Sequence, residues 1–366
     1  MKFSIEREDF LKPLQTVIGA VERKQTMPVL GNVLIEASDT ELCLTASDSE
    51  IELRSSIGLT VDSPGTVTVP ARKLVDICRA LPDHSRIEVE LSSEQVKIKS
   101  ERSRFTLSTL PANLFPKADE LKNAQTVTLD ESTLSQAIRA TAFSMAQQDV
   151  RFYLNGLLME ISDERLCCVA TDGHRLAYSE CSTEATPDTP IRAIVPRKTV
   201  LELMRLLSTE QQPAQVSISR NYLQIVISDT VLTSKLIDGK FPDYNRVIPI
   251  DGNKELLVDR DALRGTLQRA AILSSEKYRG VRLAVDSGVL TVSSNNPDRE
   301  EAIDELEVDY GGEGTEIGFN VTYLLDVLGV METTQARIVL KDSNSSALVT
   351  PEATDATKYV IMPMRL

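Results

Sequence analysis

The chain has 366 residues, 42% of them hydrophobic, which is enough to form two or three domains with ordinary cores. Its net charge of −14 argues against nucleic-acid binding by a uniformly charged surface, because phosphate contacts require cations. The start, MKFSIERED, lacks the apolar segment of a signal peptide, and no run approaches the roughly 18 apolar residues of a membrane span. Five cysteines without a CxxC pair favour a soluble protein of the reducing cytoplasm.

The predicted elements follow one order three times along the chain. Opening helices are expected at EDFLKPLQTVIGAV, ESTLSQAIRATAF and DRDALRGTLQRAAIL. Second helices are expected at VPARKLVDICRAL, VPRKTVLELMRLL and FNVTYLLDVLGVM, where apolar residues recur at i, i+3, i+4 and i+7. In the helices of repeats 1 and 2, a proline is expected in the first turn. Alternating runs then predict antiparallel strands at RIEVEL, QVKIK, QVSIS, YLQIVI, ARIVL and SALVT.

Other landmarks recur at nearly the same spacing. The Phe-Pro pairs that end at Pro116 and Pro242 lie 126 residues apart, and Asp48 and Asp172 lie 124 apart. A third copy of the strand-turn stretch ends at Asn295, another 123 residues along. The sequence therefore predicts an α+β protein of three repeated domains, 1–124, 125–250 and 251–366, each with two helices packed on antiparallel sheets.

Catalytic motifs are missing from the sequence. It has no GxSxG, P-loop, GxGxxG or HExxH pattern, and Gly239-Lys240 is followed by phenylalanine. Acidic groups such as Glu50 with Glu52 are typical of solvated strand faces. We therefore expect no catalytic residue, no metal and no cofactor. A metal-dependent nuclease or phosphatase on a repeated α+β fold stays open as the alternative.

The stretch ATDGHRLA contains His174, one of two histidines in the chain. Asp172 precedes a glycine and is expected to cap its own turn, rather than to orient the histidine for catalysis. The equivalent stretches TASDSEIEL and VSSNNPDRE contain no histidine, so the turn belongs to the repeated scaffold. Three interpretations of His174 remain open: a surface turn residue, a residue that binds a partner and, least favoured, a catalytic residue.

Five segments carry a family resemblance: ATDGHRLA, SKLIDGKFPDYNRV, RAAILSSEKYRGVRL, IGFNVTYLLDVL and YVIMPMRL. They resemble the bacterial DNA polymerase III beta subunit, the DNA sliding clamp. The resemblance implies a head-to-tail homodimer that forms a pseudo-sixfold ring around duplex DNA without reading its sequence. It also implies a cytoplasmic, non-catalytic processivity factor, although the family is grouped with DNA-directed DNA polymerase, a nucleotidyltransferase. The implied partners are the polymerase III catalytic subunit, the clamp loader, and other polymerases and repair proteins with clamp-binding motifs.

The resemblance also implies three sets of site residues. Those near DNA are Lys24, Arg72, Gln148, Phe152 and Tyr153. The pocket for partner peptides, between domains 2 and 3, is lined by Leu154, Thr171, Gly173, His174, Arg175, Leu176, Pro242, Arg246, Val247, Asn320, Tyr323, Ser345, Val360, Met362, Pro363, Met364, Arg365 and Leu366. At the dimer contact, Ile272 and Leu273 of one protomer are expected to meet Phe105 and Leu107 of the other.

The charge distribution can be reconciled with this resemblance. We expect the second helix of each repeat to line the ring. In repeats 1 and 2 the outward face of this helix carries basic residues, which are Arg72, Lys73, Arg79, Arg197, Lys198 and Arg205. The second helix of repeat 3 carries Thr322 and Gly329 where repeat 2 has Lys198 and Arg205, so little DNA contact is expected there. At the dimer contact, Arg102 and Arg104 are expected to pair with Glu300, Glu301 or Asp304.

Overall fold

The computed structural model describes residues 1–22, 27–119, 121–352 and 354–365. The helices in these residues occur where the apolar periodicity predicts them: α1 (Arg7–Val17), α2 (Ala71–Ala80), α3 (Glu131–Thr141), α4 (Arg197–Leu206), α5 (Arg260–Ala271) and α6 (Val321–Val330). The predicted stripes are buried at Leu74, Leu203 and Leu324. Pro70 and Pro196 end the preceding strands instead of lying in the first helical turn, and Pro70 has an extended ψ of 107°. No helix within the described residues is long and apolar enough to cross a membrane.

Strands make up most of the remaining structure. The first repeat contains β1 (Lys2–Glu6), β2 (Asn32–Ala37), β3 (Glu41–Ser47), β4 (Ile51–Gly58), β5 (Gly65–Pro70), β6 (Arg86–Ser92), β7 (Gln95–Ser100) and β8 (Ser103–Ser108). The second contains β9 (Gln125–Asp130), β10 (Gly156–Ser162), β11 (Arg165–Thr171), β12 (Arg175–Ser182), β13 (Ile191–Pro196), β14 (Pro213–Ile218), β15 (Tyr222–Ile227) and β16 (Thr230–Lys235). The third contains β17 (Lys254–Asp259), β18 (Gly280–Asp286), β19 (Val289–Asn295), β20 (Glu301–Glu307), β21 (Thr315–Asn320), β22 (Gln335–Leu340), β23 (Ala347–Pro351) and β24 (Thr357–Ile361).

The chain divides into two compact units, each with one four-stranded and one eight-stranded sheet. The first unit comprises Met1–Glu131 with Arg205–Leu236, and the second comprises Ser132–Met204 with Ile237–Leu366. In the first unit the strand orders are β1-β6-β7-β8 and β5-β2-β3-β4-β16-β15-β14-β9. In the second they are β20-β19-β18-β21 and β13-β10-β11-β12-β24-β23-β22-β17. The α+β class expected from the grouped strands is confirmed.

Each eight-stranded sheet joins halves of two consecutive repeats. In the first unit, residues 51–55 of β4 pair with residues 230–234 of β16, which we call the first junction. In the second unit, residues 175–179 of β12 pair with residues 357–361 of β24, which we call the second junction. All these pairs are antiparallel. The repeat pattern predicts the four-stranded halves but not these joins, because pairing between distant strands leaves no local signature in the sequence.

Candidate partner-docking site

A capped turn leads into the second junction. At the end of β11, the Asp172 Oδ1 atom accepts the backbone N–H groups of His174 and Arg175 at 2.8 and 3.0 Å. The Thr171 hydroxyl accepts the N–H of Gly173 at 3.1 Å, and Gly173 has a φ of 90°, which favours glycine. The expectation that Asp172 caps its own turn is confirmed. His174 is exposed at the tip.

Capped turns also occur at the equivalent places of the other two repeats, and the turn of the third repeat is two residues longer. The Asp48 Oδ1 atom accepts the N–H groups of Glu50 and Ile51, both at 2.8 Å. In the third repeat, the Asn296 Oδ1 atom accepts the N–H groups of Asp298 and Glu300. The predicted equivalence of Asn295 to Asp172 is therefore wrong by one residue, because Asn295 still belongs to β19 and the capping side chain comes next.

An apolar floor lies under the second junction. Leu176 and Val360 are opposite each other in the strand pair, are 3% and 1% exposed, and pack in one cluster with Phe241. Val247 is half-buried against the same cluster. Burial also raises the pKa of the Cys167 thiol to about 11, so this member of the cluster is neutral at neutral pH.

Three of the predicted pocket residues thus pack in one apolar cluster, and the structure adds others to it. Phe241, Ile248 and Leu348 belong to the cluster or pack against it. For Phe241 a signal existed, since the Phe-Pro pair recurs in the sequence. Tyr153, expected near DNA, is half-buried against this same cluster.

The C-terminal segment forms one side of the site. The backbone N–H of Met362 donates to the His174 carbonyl at 2.9 Å, and that of Met364 donates to the Gly318 carbonyl at 2.8 Å. Met362 is 40% exposed, which leaves its flexible side chain accessible. Pro363 and Met364 are half-buried, Arg365 is exposed, and Leu366 lies outside the described residues.

Arg175, expected in the pocket lining, is half-buried and links the turn to its surroundings. Its side chain is 12% exposed, and its Nε donates to the Asp172 carboxylate at 3.0 Å. One terminal nitrogen donates to the Phe143 carbonyl at 2.7 Å and the other to the Asp326 carboxylate. The guanidinium carbon lies 4.5 Å from the centre of the Tyr323 ring. Arg175 therefore holds the turn against α6 and fixes Tyr323, whose pKa is raised by burial.

The other predicted pocket residues have different exposures. Leu154 is 2% exposed, as deeply buried as Leu176 and Val360, and the hydroxyl of the buried Thr171 donates to the Arg175 carbonyl. Pro242 is exposed. Asn320 caps α6 by accepting the Thr322 N–H at 2.9 Å. Arg246, Val247 and Ser345 line one groove beside the floor.

The residues expected near DNA have different surroundings. Lys24 lies outside the described residues. Arg72 is exposed at the start of α2, and its guanidinium donates to the Val21 carbonyl at 2.9 Å. Gln148 is exposed with a φ of 58°, and Phe152 is 73% exposed.

The loop from Gln148 to Tyr153 also contacts the capped turn. Arg151 pairs with Asp149 at 2.8 Å and donates to the Asp172 carbonyl at 3.2 Å. The hydrogen bonds from Arg151 lower the pKa of Asp149 to about 2. This arginine, which sequence reasoning missed, fixes the loop beside Gly173.

The residues expected at the dimer contact are exposed to different degrees. Ile272 at the end of α5 is 77% exposed, and Leu273 is half-buried. On β8, Phe105 is half-buried and Leu107 is 8% exposed. Of the acids expected opposite Arg102 and Arg104, Asp304 pairs with Arg269 of its own chain.

The repeated helices and the strand orders define an α+β fold of three repeats. Family models of the N-terminal, central and C-terminal domains of the DNA polymerase III beta subunit match residues 1–119, 128–243 and 245–365. The chain therefore belongs to the DNA polymerase III beta subunit family.

Relatives of known name agree over the full length. The chain is 50% identical to the Beta sliding clamp of Pseudomonas putida, with 100% of both chains covered. It also matches the crystal structure of the DNA polymerase III subunit beta from Pseudomonas aeruginosa, with a TM-score of 0.97 and 48% identity over 100% of both chains. The sliding clamp of that organism bound to griselimycin matches with a TM-score of 0.96, 48% identity and the same coverage.

The alternative of a metal-dependent nuclease or phosphatase is not supported. The family and the named relatives are sliding clamps, which are processivity factors rather than catalysts. Within the described part of the chain, no group of three or more His, Cys, Asp or Glu side chains could hold a metal ion. The acidic groups are instead used locally, as in the pair between Glu50 and Lys235.

Proposed function

We propose that this chain is a sliding clamp of the bacterial cytoplasm, which encircles duplex DNA and tethers the replicative polymerase. The observation that carries the proposal is the match to all three family domains over nearly the whole chain. The threefold order of helices and strands supports domains at 1–124, 125–250 and 251–366. The chain itself performs no bond chemistry in this role.

The strand orders support a head-to-tail homodimer. Two junctions within the chain pair the edge strands of consecutive repeats, β4 with β16 and β12 with β24. By the same repeat logic, β20 is the counterpart of β4 and β12, and β8 is the counterpart of β16 and β24. Each ends its four-stranded sheet and presents unpaired backbone groups. A second protomer that pairs its β8 with β20 repeats the junction, and an unlike-face contact of this kind closes a ring.

The repeat register also predicts which residues meet. Glu52 faces Thr233 in the first junction, and the counterparts of these residues are Glu301 and Thr106. On this register Phe105 faces Ala302, and Ile272 with Leu273 covers the apolar side of the contact. Because Asp304 already pairs with Arg269, we propose Glu301 as the partner of Arg104.

Two experiments test the dimer. Thr106→Cys combined with Glu301→Cys is expected to form dimers on mild oxidation, since opposed residues in antiparallel strands have the spacing of a disulfide. Each single substitution serves as the control and should stay uncrosslinked on a non-reducing gel.

Ile272→Ala with Leu273→Ala is expected to give monomers by light scattering. An unchanged mass would refute the assignment of the contact.

Contacts with DNA are proposed at Lys24, Arg72, Gln148, Phe152 and Tyr153. Phosphate contacts by a few cations are weak and salt-sensitive, which permits sliding while a closed ring prevents escape. The test is to load the protein on nicked circular DNA with its clamp loader and then to linearise the circle. Rapid loss after linearisation supports the ring, whereas unchanged retention contradicts it.

The second junction is proposed as the docking site for short peptides of partners. These partners are the polymerase III catalytic subunit, the clamp loader, and other polymerases and repair proteins. The apolar floor of Leu176 and Val360 suits apolar peptide side chains, and Met362 can adapt to different partners. Deletion of residues 362–366 is expected to abolish binding of overlapping peptides from the catalytic subunit and to leave the dimer intact.

A further inference from the structure

An arginine of repeat 2 binds the end of the opening helix of repeat 1. Arg205 lies in the last turn of α4, and its guanidinium donates to the Gln15 carbonyl at 3.2 Å and to the Thr16 carbonyl at 2.6 Å. Both carbonyls belong to the C-terminal end of α1, where a helix leaves its last carbonyls without intrahelical donors. A cation at this end also interacts favourably with the helix dipole. We call this contact the helix-end link.

The second helices of the other repeats differ at this position. Arg79 corresponds to Arg205, because both lie in the last turn of a ten-residue helix that follows a Val-Pro pair. In α6 the corresponding residue is Gly329, and no basic residue occurs in the last turn. A Cβ atom on Gly329 would meet nothing within 4 Å. The helix-end link of the first two repeats therefore has no counterpart between the second and the third.

The Arg79 side chain is exposed and unused within its own chain. Its backbone carbonyl accepts a hydrogen bond from the Arg7 guanidinium. In the part of the chain that the structure describes, its own guanidinium has no hydrogen-bond or ion-pair partner. A guanidinium carries five N–H donors in a fixed fork. Arg79 is thus available to a partner in the way that Arg205 is not.

The end of α5 corresponds to the end of α1. The buried residues of the two helices match at one constant offset, Phe10, Leu14 and Val17 with Leu263, Leu267 and Ala270. Gln15 of α1 therefore corresponds to Gln268 of α5. Thr16 corresponds to Arg269, whose side chain pairs with Asp304 and is thereby neutralised. The end of α5 can accept a second cation for this reason.

The same helix end adjoins the proposed dimer contact. Ile272, which is expected at that contact, is the C-cap of α5 and is 77% exposed. The helix α5 packs on β20, the strand that we propose to pair with β8 of the other protomer. In repeat 1, α2 precedes β8 as α4 precedes β16 in repeat 2. A dimer contact that repeats the first junction therefore brings the last turn of α2 to the end of α5.

From this correspondence we infer that Arg79 of one protomer donates to the Gln268 and Arg269 carbonyls of the other. The dimer contact then contains a helix-end link in addition to its strand pair and to the apolar cover of Ile272 and Leu273. Arg79 acts in holding the ring closed, rather than only in lining it. This inference rests on the proposed head-to-tail dimer.

The test is the affinity of the dimer in an Arg79→Gln variant. A head-to-tail dimer has two identical contacts, so one substitution removes both links. Each charge-assisted link is expected to contribute about tenfold, so the dissociation constant should rise by about a hundredfold. Dilution of fluorescently labelled protein measures this constant. Mixing of two differently labelled samples measures the rate of subunit exchange, which should rise with it.

Two further variants control for charge and fold. Arg220→Gln is the matched control, because Arg220 is also exposed and lies in the turn between β14 and β15, away from the proposed contact. It should leave the dissociation constant unchanged. Arg79→Glu places a negative charge against the negative end of α5 and should weaken the dimer more than Arg79→Gln does. Because Arg79 has no side-chain partner in its own chain, the circular dichroism of all three variants should match that of the wild type.

The outcomes separate the link from the dimer on which it rests. If the wild-type chain is monomeric, the proposed dimer fails. If the wild type is a dimer and Arg79→Gln dissociates as Arg220→Gln does, the dimer stands and the link is wrong. An unchanged dissociation constant for Arg79→Gln together with faster loss from circular DNA would also contradict the link, and would leave Arg79 as a residue of the ring lining.

Discussion

The two junctions share one backbone and differ in chemistry. In both, a capped turn precedes the strand pair. The partner strand is also bonded to this turn: the Lys235 N–H at the end of β16 donates to the Glu50 carbonyl, and the Met362 N–H just after β24 donates to the His174 carbonyl, both at 2.9 Å. The residues that face each other are Glu52 and Thr233 in the first junction and Leu176 and Val360 in the second.

The side chains decide what each junction can bind. In the first junction, Glu50 and Lys235 form an ion pair at 3.2 Å, and the Glu52 carboxylate accepts the Ala118 N–H at 2.8 Å. The cavity there is about 200 Å³. A pocket lined with charged groups disfavours apolar peptide side chains, since their entry would desolvate those groups. The two junctions thus conserve one backbone geometry, and on the proposed function the side chains of the second junction supply the docking surface.

The largest expected effect comes from placing the residue of the first junction in the second. Leu176→Glu puts a carboxylate into the apolar cluster and is expected to cost about 3–5 kcal/mol of stability and to abolish peptide binding. Calorimetric unfolding measures the loss of stability, and fluorescence anisotropy with a peptide of the polymerase III catalytic subunit measures the loss of binding. The reciprocal Glu52→Leu is the control and should leave peptide affinity unchanged. Equal loss of binding in both variants would contradict the distinction between the junctions.

A smaller effect is expected from the link between the turn and α6. Asp326→Asn removes the charge that holds Arg175, which should free the guanidinium and the Tyr323 ring and weaken peptide binding by roughly tenfold, about 1.4 kcal/mol. Asp326→Glu keeps the charge and should restore most of the affinity, measured by the same anisotropy titration. No loss with asparagine, or no recovery with glutamate, would show that Arg175 does not position the site.

The capped turns allow a finer comparison. Gly173→Ala places a Cβ 2.9 Å from the Arg151 guanidinium at a φ of 90° and should cost about 1–2 kcal/mol. Ser49 occupies the equivalent position with a φ of 77°, so the first repeat already tolerates a side chain there. Ser49→Ala should therefore change the unfolding free energy by less than about 0.5 kcal/mol in urea titrations. Similar losses in both variants would mean that Arg151 is not the reason for the glycine.

The smallest effect concerns the pH dependence of the first junction. Burial raises the pKa of Glu52 above its ordinary value of 4.5. A carboxyl whose pKa is raised by folding contributes stability below pH 4.5, and this contribution is lost as the pH rises through the folded-state pKa. Glu52→Gln should remove this loss of folding stability with rising pH, so the variant gains stability relative to the wild type between pH 4.5 and neutrality. Urea unfolding at several pH values checks it, and parallel curves would exclude the effect.

The amino-acid sequence by itself determined the local features of this protein. Helix positions followed from apolar stripes such as Leu74 and Leu203, and the cap at Asp172 followed from an Asp-Gly turn, because both depend on residues close together in the chain. The repeats and the resemblance together indicated the fold class and the family.

Only the tertiary structure decided how distant segments combine. The pairing of β4 with β16 and of β12 with β24 depends on contacts more than 150 residues apart, which no local pattern encodes. For the same reason the sequence could not show that folding brings Asp326 and Phe143 to the guanidinium of Arg175, which the resemblance placed in the pocket lining. Local periodicity selects helices and strands, but the packing of remote side chains determines which surfaces remain free to bind.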